Sequence, residues 1–126
     1  MNDLVLFAKA IADPTRVRIL KGLLETDLCV CEMVDAFEMG QSTLSSHLQT
    51  IRQSGLVETS RRHKMVAYAL NENARPVLLE IFAHHSSALD HDQRLQRDAE
   101  RIRMRLDLRD SGQCCLGPGQ LDQRSE

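Results

Sequence analysis

Two helical patterns that meet at a glycine and precede a basic hairpin constrain the fold of this chain more than any other feature. The first pattern follows Thr26 and Asp27, two possible N-caps. Its apolar positions are Val30, Met33, Val34 and Phe37. Gly40 supplies the turn, and residues 41–52 form the second pattern. We therefore expect a helix-turn-helix, although a plain helical hairpin with a solvated polar face would give a similar pattern.

The second helix of this unit has an apolar face and a polar face. Leu44, Leu48 and Ile51 share the apolar face, and Ser54-Gly55 ends the helix. Residues 56–60 and 65–70 have mixed strand character and flank the turn Arg61-Arg62-His63-Lys64. They predict a two-stranded wing. A wing after a helix-turn-helix favours DNA binding over the plain hairpin.

Helices are also expected on both sides of this unit. An apolar helical pattern over residues 4–11 ends before Asp13-Pro14, where Asp13 suits an N-cap and Pro14 the first helical position. From about Glu72 a long helical pattern continues to Leu106. Its apolar stripe is longer than one small domain can bury, which favours a dimer.

Composition narrows the class of protein. The chain has 126 residues, no Trp and 3% aromatic residues, so we expect one mainly α domain with an aliphatic core. Its N-terminus lacks signal-peptide features and no apolar run could cross a membrane, which predicts a cytoplasmic protein. The net charge of −2 argues against a non-specific polyanion binder. Between residues 41 and 70, however, there are four basic residues and only one acidic residue, so this stretch is locally positive.

Four stretches in register resemble the ArsR/SmtB family of winged-helix metal-sensing repressors. They are Ala12-Asp13-Pro14-Thr15-Arg16-Val17-Arg18-Ile19-Leu20, Leu28-Cys29-Val30-Cys31-Glu32-Met33, Gln41-Ser42-Thr43-Leu44-Ser45-Ser46-His47-Leu48, and Ser54-Gly55-Leu56-Val57 leading to Tyr68. The resemblance covers residues 4 to about 90. It implies a homodimer, formed through the first and last long helices, that binds double-stranded operator DNA and releases it when metal binds.

The resemblance and the exposed pattern together give candidate DNA contacts. In the second helix they are Gln41, Ser42, Thr43, Ser45, Ser46, His47, Gln49 and Arg52. In the wing they are Arg61, Arg62 and Lys64, which suit phosphate contacts. The chain departs from the family's pattern at Ser46, where Arg or Lys is common, and at His63, where Gly is usual. A short uncharged side chain at position 46 reaches DNA less well.

Two cysteine pairs are the candidate metal ligands. They are Cys29 with Cys31, and Cys114 with Cys115. In a cytoplasmic protein such thiols suit soft ions better than disulfides. On a regular helix positions two apart point about 200° from each other. Cys29 and Cys31 could therefore share an ion only if the helix start is unwound, and chelation that bends this helix would oppose DNA binding.

The resemblance is closest to the arsenic-responsive branch, but the branch's frequent third helix cysteine is Val34 here. Cys114 and Cys115 are then the candidates to complete the site, unless they are an unconstrained tail pair. We expect a winged helix-turn-helix DNA-binding and dimerisation domain over residues 1–110 and a flexible cysteine-containing tail over residues 111–126. The predicted inducer is As(III) or Sb(III), without an organic cofactor.

Other functions stay open at this stage. Four thiolates would suit a zinc, cadmium or lead sensor, and Cys29 with Cys31 could instead sense oxidants. A zinc site on the last helix would use His84, His85, Asp90, His91 and Asp92, but no histidine follows His91. We do not expect an enzyme, because a thiol oxidoreductase would need Cys-x-x-Cys near a βαβ pattern.

Overall fold

The computed structural model describes residues 1–62, 64–109 and 117–121. Helices make up most of it, with a small antiparallel sheet, as the sequence predicts. The elements in chain order are α1 (Asn2–Ala10), α2 (Pro14–Glu25), β1 (Leu28–Cys29), α3 (Val30–Phe37), α4 (Gln41–Gln53), β2 (Val57–Arg62), β3 (Met65–Leu70), α5 (Arg75–His84), α6 (Ser86–Leu89) and α7 (Gln93–Leu106).

Several predicted helix ends are confirmed. The Asp13 carboxylate accepts hydrogen bonds from the backbone N–H groups of Thr15 and Arg16, and Pro14 is the first residue of α2. Gly55 follows α4 with a φ of 78°, in the left-handed region that glycine adopts most easily. Local sequence chemistry therefore sets the start of α2 and the end of α4.

The sheet has three strands rather than the two predicted. β2 and β3 form the wing, with Thr59 opposite Tyr68, and β1 adds to the other edge of β3. Leu28 pairs with Tyr68, and Cys29 pairs with Ala67. The first cysteine is consequently bonded into the same sheet as the wing.

The predicted start of the third helix is wrong. Thr26 is the C-cap of α2, and α3 begins at Val30 with Cys29 as its N-cap. Cys29 has an extended backbone, with φ −79° and ψ 158°. Pairing with β3 keeps residues 28 and 29 out of the helix, an effect that local sequence does not show.

The long helix expected from about Glu72 is also wrong, because the chain turns twice. α5 ends at His84, the short α6 follows, and α7 starts anew after Asp92, whose carboxylate accepts a hydrogen bond from the Leu95 N–H. α7 then packs against α2 and α3. This return covers much of the apolar stripe that a single long helix would have left exposed.

One main core lies between α2, α3, α4, the sheet and α7. Its largest buried apolar side chains include Phe37, Ile19, Leu20, Leu23, Leu28, Met33, Leu44, Leu48, Ile51 and Leu78. This aliphatic core agrees with the composition. Among the residues described, no helix combines the length and apolar character needed to cross a membrane.

Candidate DNA-reading surface and cysteine site

The outer face of α4 carries most of the predicted DNA contacts. Leu44, Leu48 and Ile51 are buried, as the pattern predicts. The exposed residues of this face are Gln41, Ser42, Thr43, Ser45, Ser46, Gln49 and Arg52. A helix with polar side chains on its open face and its other face in the core has the form of a recognition helix.

His47 is the exception on this helix, because it is half-buried and has partners within the chain. Its Nδ1 lies 3.1 Å from Nη1 of Arg16 and 4.0 Å from Oδ1 of Asp13. Burial acts to raise the pKa of Asp13, but the N–H groups of Thr15 and Arg16 and the nearby charges of His47 and Arg16 hold it below its usual value. His47 thus connects α4 to the start of α2.

The wing presents two of its three predicted cations to solvent. Arg61 and Lys64 are exposed, whereas Arg62 is half-buried and its Nη2 lies 3.0 Å from Oδ2 of Asp27. His63 lies outside the described residues. Arg62 therefore ties the wing to the loop before β1.

Cys29 and Cys31 are both buried at the N-terminus of α3. The Cys29 N–H donates to Oε1 of Glu32 at 2.9 Å, and the Cys29 sulfur accepts the Glu32 N–H in return, forming a capping box. Helix N-termini stabilise negative charge. A metal-bound pair of thiolates at this position would therefore lie where the helix dipole stabilises its negative charge.

The two cysteine side chains pack in one small cluster with Ala67, and Met65 covers it. The Cys31 sulfur lies 3.7 Å from the Met65 sulfur and 4.0 Å from Nη2 of Arg105. Because Cys29 is a strand residue, the predicted 200° separation on a helix does not apply. Both cysteines therefore lie at the strand-to-helix junction, in one cluster with Ala67, while α3 begins regularly at Val30.

Two acidic residues of α3 and its C-cap Glu38 meet arginines of the C-terminal region, a set of contacts that the sequence analysis missed. Arg97 bonds Glu38 at 2.6 Å, and Arg105 bonds Asp35 and Arg109 bonds Glu32, each at 2.7 Å. The acids recur every three residues and the arginines fall at Arg97, Arg101, Arg105 and Arg109. Such complementary stripes are a usable signal, since each lines one face of a helix.

The described part of the C-terminal segment, residues 117–121, docks on Asp35. The backbone N–H groups of Gly119 and Gln120 donate to the Asp35 carboxylate at 2.6 and 3.1 Å, and Gly117 O accepts from Arg105 Nη2 at 3.2 Å. Cys114 and Cys115 lie outside the described residues. The first residue described after them is nevertheless bonded to the arginine beside Cys31.

A cleft of about 700 Å³ separates α4 from the wing and the cysteines. Ser45, Gln49 and Arg52 line it from α4, and Lys64 and Met65 from the wing. Further along its wall it includes Cys31, Gly117 and Pro118. The cleft joins the predicted DNA contacts to the cysteine site.

The acidic and histidine residues near the end of α5 do not form a metal site. His84, His85, Asp90, His91 and Asp92 are exposed and are spread over two helix breaks. Across residues 1–62, 64–109 and 117–121, no three His, Cys, Asp or Glu side chains are grouped to hold an ion. Asp92 instead caps α7.

A helix-turn-helix with an exposed polar second helix, followed by a basic hairpin, defines the winged helix-turn-helix class of regulators. The family model for the bacterial regulatory protein, arsR family, matches residues 13–59. The chain belongs to this family, the ArsR/SmtB family, and its winged helix-turn-helix regulators bind DNA.

Individual relatives agree with this assignment and are transcriptional regulators, not enzymes. The transcriptional repressor SmtB homolog of Synechocystis sp. is 33% identical over 84 residues, which are 67% of this chain and 64% of that protein. The arsenic resistance transcriptional regulator ArsR1 of Pseudomonas putida is 39% identical over 64 residues, 50% of each chain. The structure of HlyU from Vibrio cholerae matches with a TM-score of 0.61 and 31% identity, covering 68% of this chain and 94% of that one.

Proposed function

We propose that this chain is a transcriptional repressor that binds operator DNA as a homodimer and releases it when As(III) or Sb(III) binds cysteine thiolates. The proposal of the ion site rests on the C-terminal segment, residues 117–121, which is anchored by hydrogen bonds. Gly117 is hydrogen-bonded to Arg105, and Arg105 lies 4.0 Å from the Cys31 sulfur. Cys114 and Cys115 precede Gly117 by three and two residues in the sequence, so we propose that this contact directs the chain that carries them toward the first pair.

The length of the tether supports this proposal. Extended chain spans at most about 3.6 Å per residue, so Cys115 can reach about 7 Å from Gly117 and Cys114 about 11 Å. Gly117 and Cys31 line the same cleft. We therefore propose Cys114 or Cys115 of the same subunit as the third ligand.

The chemistry of the described pair fits a thiophilic ion. Thiolates are soft ligands, and As(III) takes three of them in a trigonal arrangement. The Glu32 carboxylate, the nearest hard donor, accepts two hydrogen bonds from Arg109 and one from the Cys29 N–H. It is poorly available to an ion, which leaves sulfur as the favoured donor.

The proposed DNA contacts lie on α4 and on the wing. Arg52, Arg61 and Lys64 are exposed and supply phosphate contacts, while the exposed Ser, Thr and Gln side chains of α4 face the bases. His47 and Arg62 also belong to the proposed set. Each would have to exchange a partner within the chain for DNA, so we expect smaller contributions from them.

Exposed apolar residues support the proposed dimer. Leu4 and Val5 on α1 are 68% and 46% exposed, and Val77 and Leu79 on α5 are 46% and 52% exposed. Large exposed aliphatic side chains on two helices favour an interface. The first helix fits the predicted interface, and α5 takes the part that was assigned to the single long helix.

The switch would act through the sheet. Cys29 is paired with Ala67 in β3, and β3 is paired with β2 along the whole wing. Gathering thiolates around an ion moves Cys29, and a movement of β3 changes the angle between wing and α4. Ion binding and operator binding then favour different conformations, and a coupling of about 1–3 kcal/mol is enough for a switch.

The alternative is a zinc, cadmium, lead or thiol-redox sensor of the same fold. Four thiolates from both pairs would suit a tetrahedral divalent ion. Oxidation of the buried pair would equally disturb the junction between β1 and α3. To distinguish these functions, operator release by the ions and by an oxidant has to be compared in parallel.

The test is operator release by the full-length, reduced protein. Fluorescence anisotropy of a labelled operator is measured with arsenite, antimonite, cadmium, zinc and peroxide in parallel. We expect arsenite and antimonite to release DNA at the lowest concentrations. Operator affinity that is unchanged by saturating arsenite would reject the proposal.

The ligand set is tested by X-ray absorption on the arsenite-loaded protein. We expect three sulfur neighbours in the wild type and two in the Cys114→Ser/Cys115→Ser variant. The matched variant Cys31→Ser keeps the tail thiols but removes one of the buried pair. Three sulfur neighbours in the Cys114→Ser/Cys115→Ser variant would show that Cys114 and Cys115 are not ligands.

A further inference from the structure

We propose that Cys29, Cys31 and Met65 form an all-sulfur site for Cu(I), which does not require the C-terminal cysteines. Met65 is the first residue of β3, and it packs on the cluster of Cys29, Cys31 and Ala67. The geometry places one thioether beside two thiols at the junction between sheet and helix.

The sulfur separation suits two ligands of one ion. Ligands of a trigonal ion with metal–sulfur bonds of about 2.3 Å lie about 4 Å apart. The Cys31 and Met65 sulfurs are 3.7 Å apart. The Met65 side chain is half-buried, so it has room to move outward when an ion enters.

The donor set selects Cu(I) over other ions. Soft thiolate and thioether ligands favour Cu(I), whereas a thioether is a weak, uncharged donor for As(III) and Zn(II). The Glu32 carboxylate is engaged by Arg109 and by the Cys29 N–H. The three side chains of the proposed site therefore offer an ion sulfur ligands only.

Charge favours the same ion. Cu(I) displaces two protons from two thiols and gives a complex of charge −1, with the thioether adding none. That charge would lie at the N-terminus of α3, with the guanidinium of Arg105 4.0 Å from the Cys31 sulfur. A helix N-terminus and a cation both stabilise an anionic centre.

Access is provided by the cleft between α4 and the wing. Cys31 and Met65 both line this cleft of about 700 Å³. An ion carried by a small thiol can therefore be delivered from solvent by ligand exchange, without unfolding of the core. The site is distinct from the proposed arsenic site in its third ligand alone.

The test uses the full-length, reduced Cys114→Ser/Cys115→Ser protein, so that tail thiols cannot bind. Cu(I) is titrated anaerobically against a chromophoric Cu(I) chelator, and X-ray absorption counts the sulfurs. We expect one Cu(I) per chain with three sulfur neighbours. Met65→Leu in this background should weaken Cu(I) binding at least about tenfold and leave two sulfurs.

Matched variants keep the test decisive. Leu has nearly the volume of Met, so Met65→Leu should fold, and an unchanged circular dichroism melt checks this. Met104→Leu makes the same change at an exposed methionine of α7 and should leave Cu(I) binding unchanged. Equal Cu(I) affinity and sulfur count with Met65→Leu would overturn the proposal.

Arsenite binding is tested separately from Cu(I) binding, so that either proposal can fail without the other. In the chain with its tail cysteines intact, Met65→Leu should leave arsenite affinity within about twofold, since As(III) takes thiolates. Loss of arsenite binding together with Cu(I) binding would mean that Met65 only holds the cysteines in place. That result also overturns its role as a ligand.

Discussion

Nε of Arg105 donates a 2.7 Å hydrogen bond to Oδ2 of Asp35, and both side chains are almost fully buried. The pair connects α7 to α3. Asp35 also accepts the Gly119 and Gln120 N–H groups, and Arg105 also reaches Gly117 O and the Cys31 sulfur. One ion pair therefore joins the last helix, the C-terminal segment and the cysteine site.

Replacing Asp35 by Asn should destabilise the protein by about 3 kcal/mol, because the buried Arg105 charge then lacks its counterion. Urea unfolding measures this change. Asp107→Asn alters an exposed acid just after α7 and should change stability by less than about 0.5 kcal/mol. Similar values for the two variants would contradict the importance of the buried pair.

Removal of residues 116–126 should weaken arsenite binding while operator affinity without arsenite stays the same. The deletion keeps Cys114 and Cys115 but loses Gly117, Gly119 and Gln120, which hold the segment on Asp35 and Arg105. A free tether lowers the effective concentration of a third thiolate. Competition titration with a dithiol chelator measures arsenite affinity.

The control for this truncation ends the chain after Leu121 instead. It keeps every described contact of the segment and should bind arsenite like the full-length chain. If the two truncations behave alike, the docked segment does not organise the site.

Glu38 makes stability depend on pH at the acidic end. Arg97 holds the pKa of the Glu38 carboxyl at about 2 against an ordinary 4.5. Because the pKa is lower in the folded protein, the stabilisation is complete above pH 4.5 and is lost as the pH falls from 4.5 toward 2. Glu38→Gln should cost about 1–2 kcal/mol at neutral pH.

Urea unfolding of the wild type and Glu38→Gln across this pH range checks the sign. The difference in free energy of unfolding should shrink as the pH falls. Glu80→Gln on the exposed face of α5 is the control and should show little change. A difference that grows on acidification would reverse the assignment.

Lys64→Ala should lower operator affinity and reduce the dependence of log affinity on log salt by about 0.9, the value for one lost phosphate contact. Lys64 is exposed at the end of the wing turn, directly before β3. Arg62→Ala should have a smaller effect on the slope, because Arg62 is paired with Asp27. Anisotropy titrations at several salt concentrations measure both.

Arg103→Ala serves as the control, since Arg103 is exposed on α7 and pairs with Glu100. It should leave the slope unchanged. An equal loss of slope for Arg62→Ala and Lys64→Ala would show that the Asp27 pair opens on DNA.

The sequence predicts the start of α2 and the course of α4 well, because the signals for both are local. Gly55, Asp13 and the period of Leu44, Leu48 and Ile51 each act within a few residues, and all are confirmed. The Asp92 cap of α7 is a local signal of the same kind, but the apolar stripe that continues past it predicts one long helix instead.

The cysteine site could not be predicted in the same way, because contacts distant in sequence determine it. Cys29 is in a strand only because Ala67 pairs with it, and Asp35 meets Arg105 seventy positions later. Periodicity carries no information on either contact. Complementary charge stripes on α3 and α7 were the available signal.

Under the proposed function, the pairing of Cys29 with Ala67 would make the wing respond to ion binding. β3 carries the same register on to Ser60 of β2, an exposed position opposite Ala67. A fluorophore attached there, after Ser60→Cys in a chain with its tail cysteines replaced, would sense the strand rather than the ion. The labelled protein would then serve as a fluorescent sensor for soft metal ions in water.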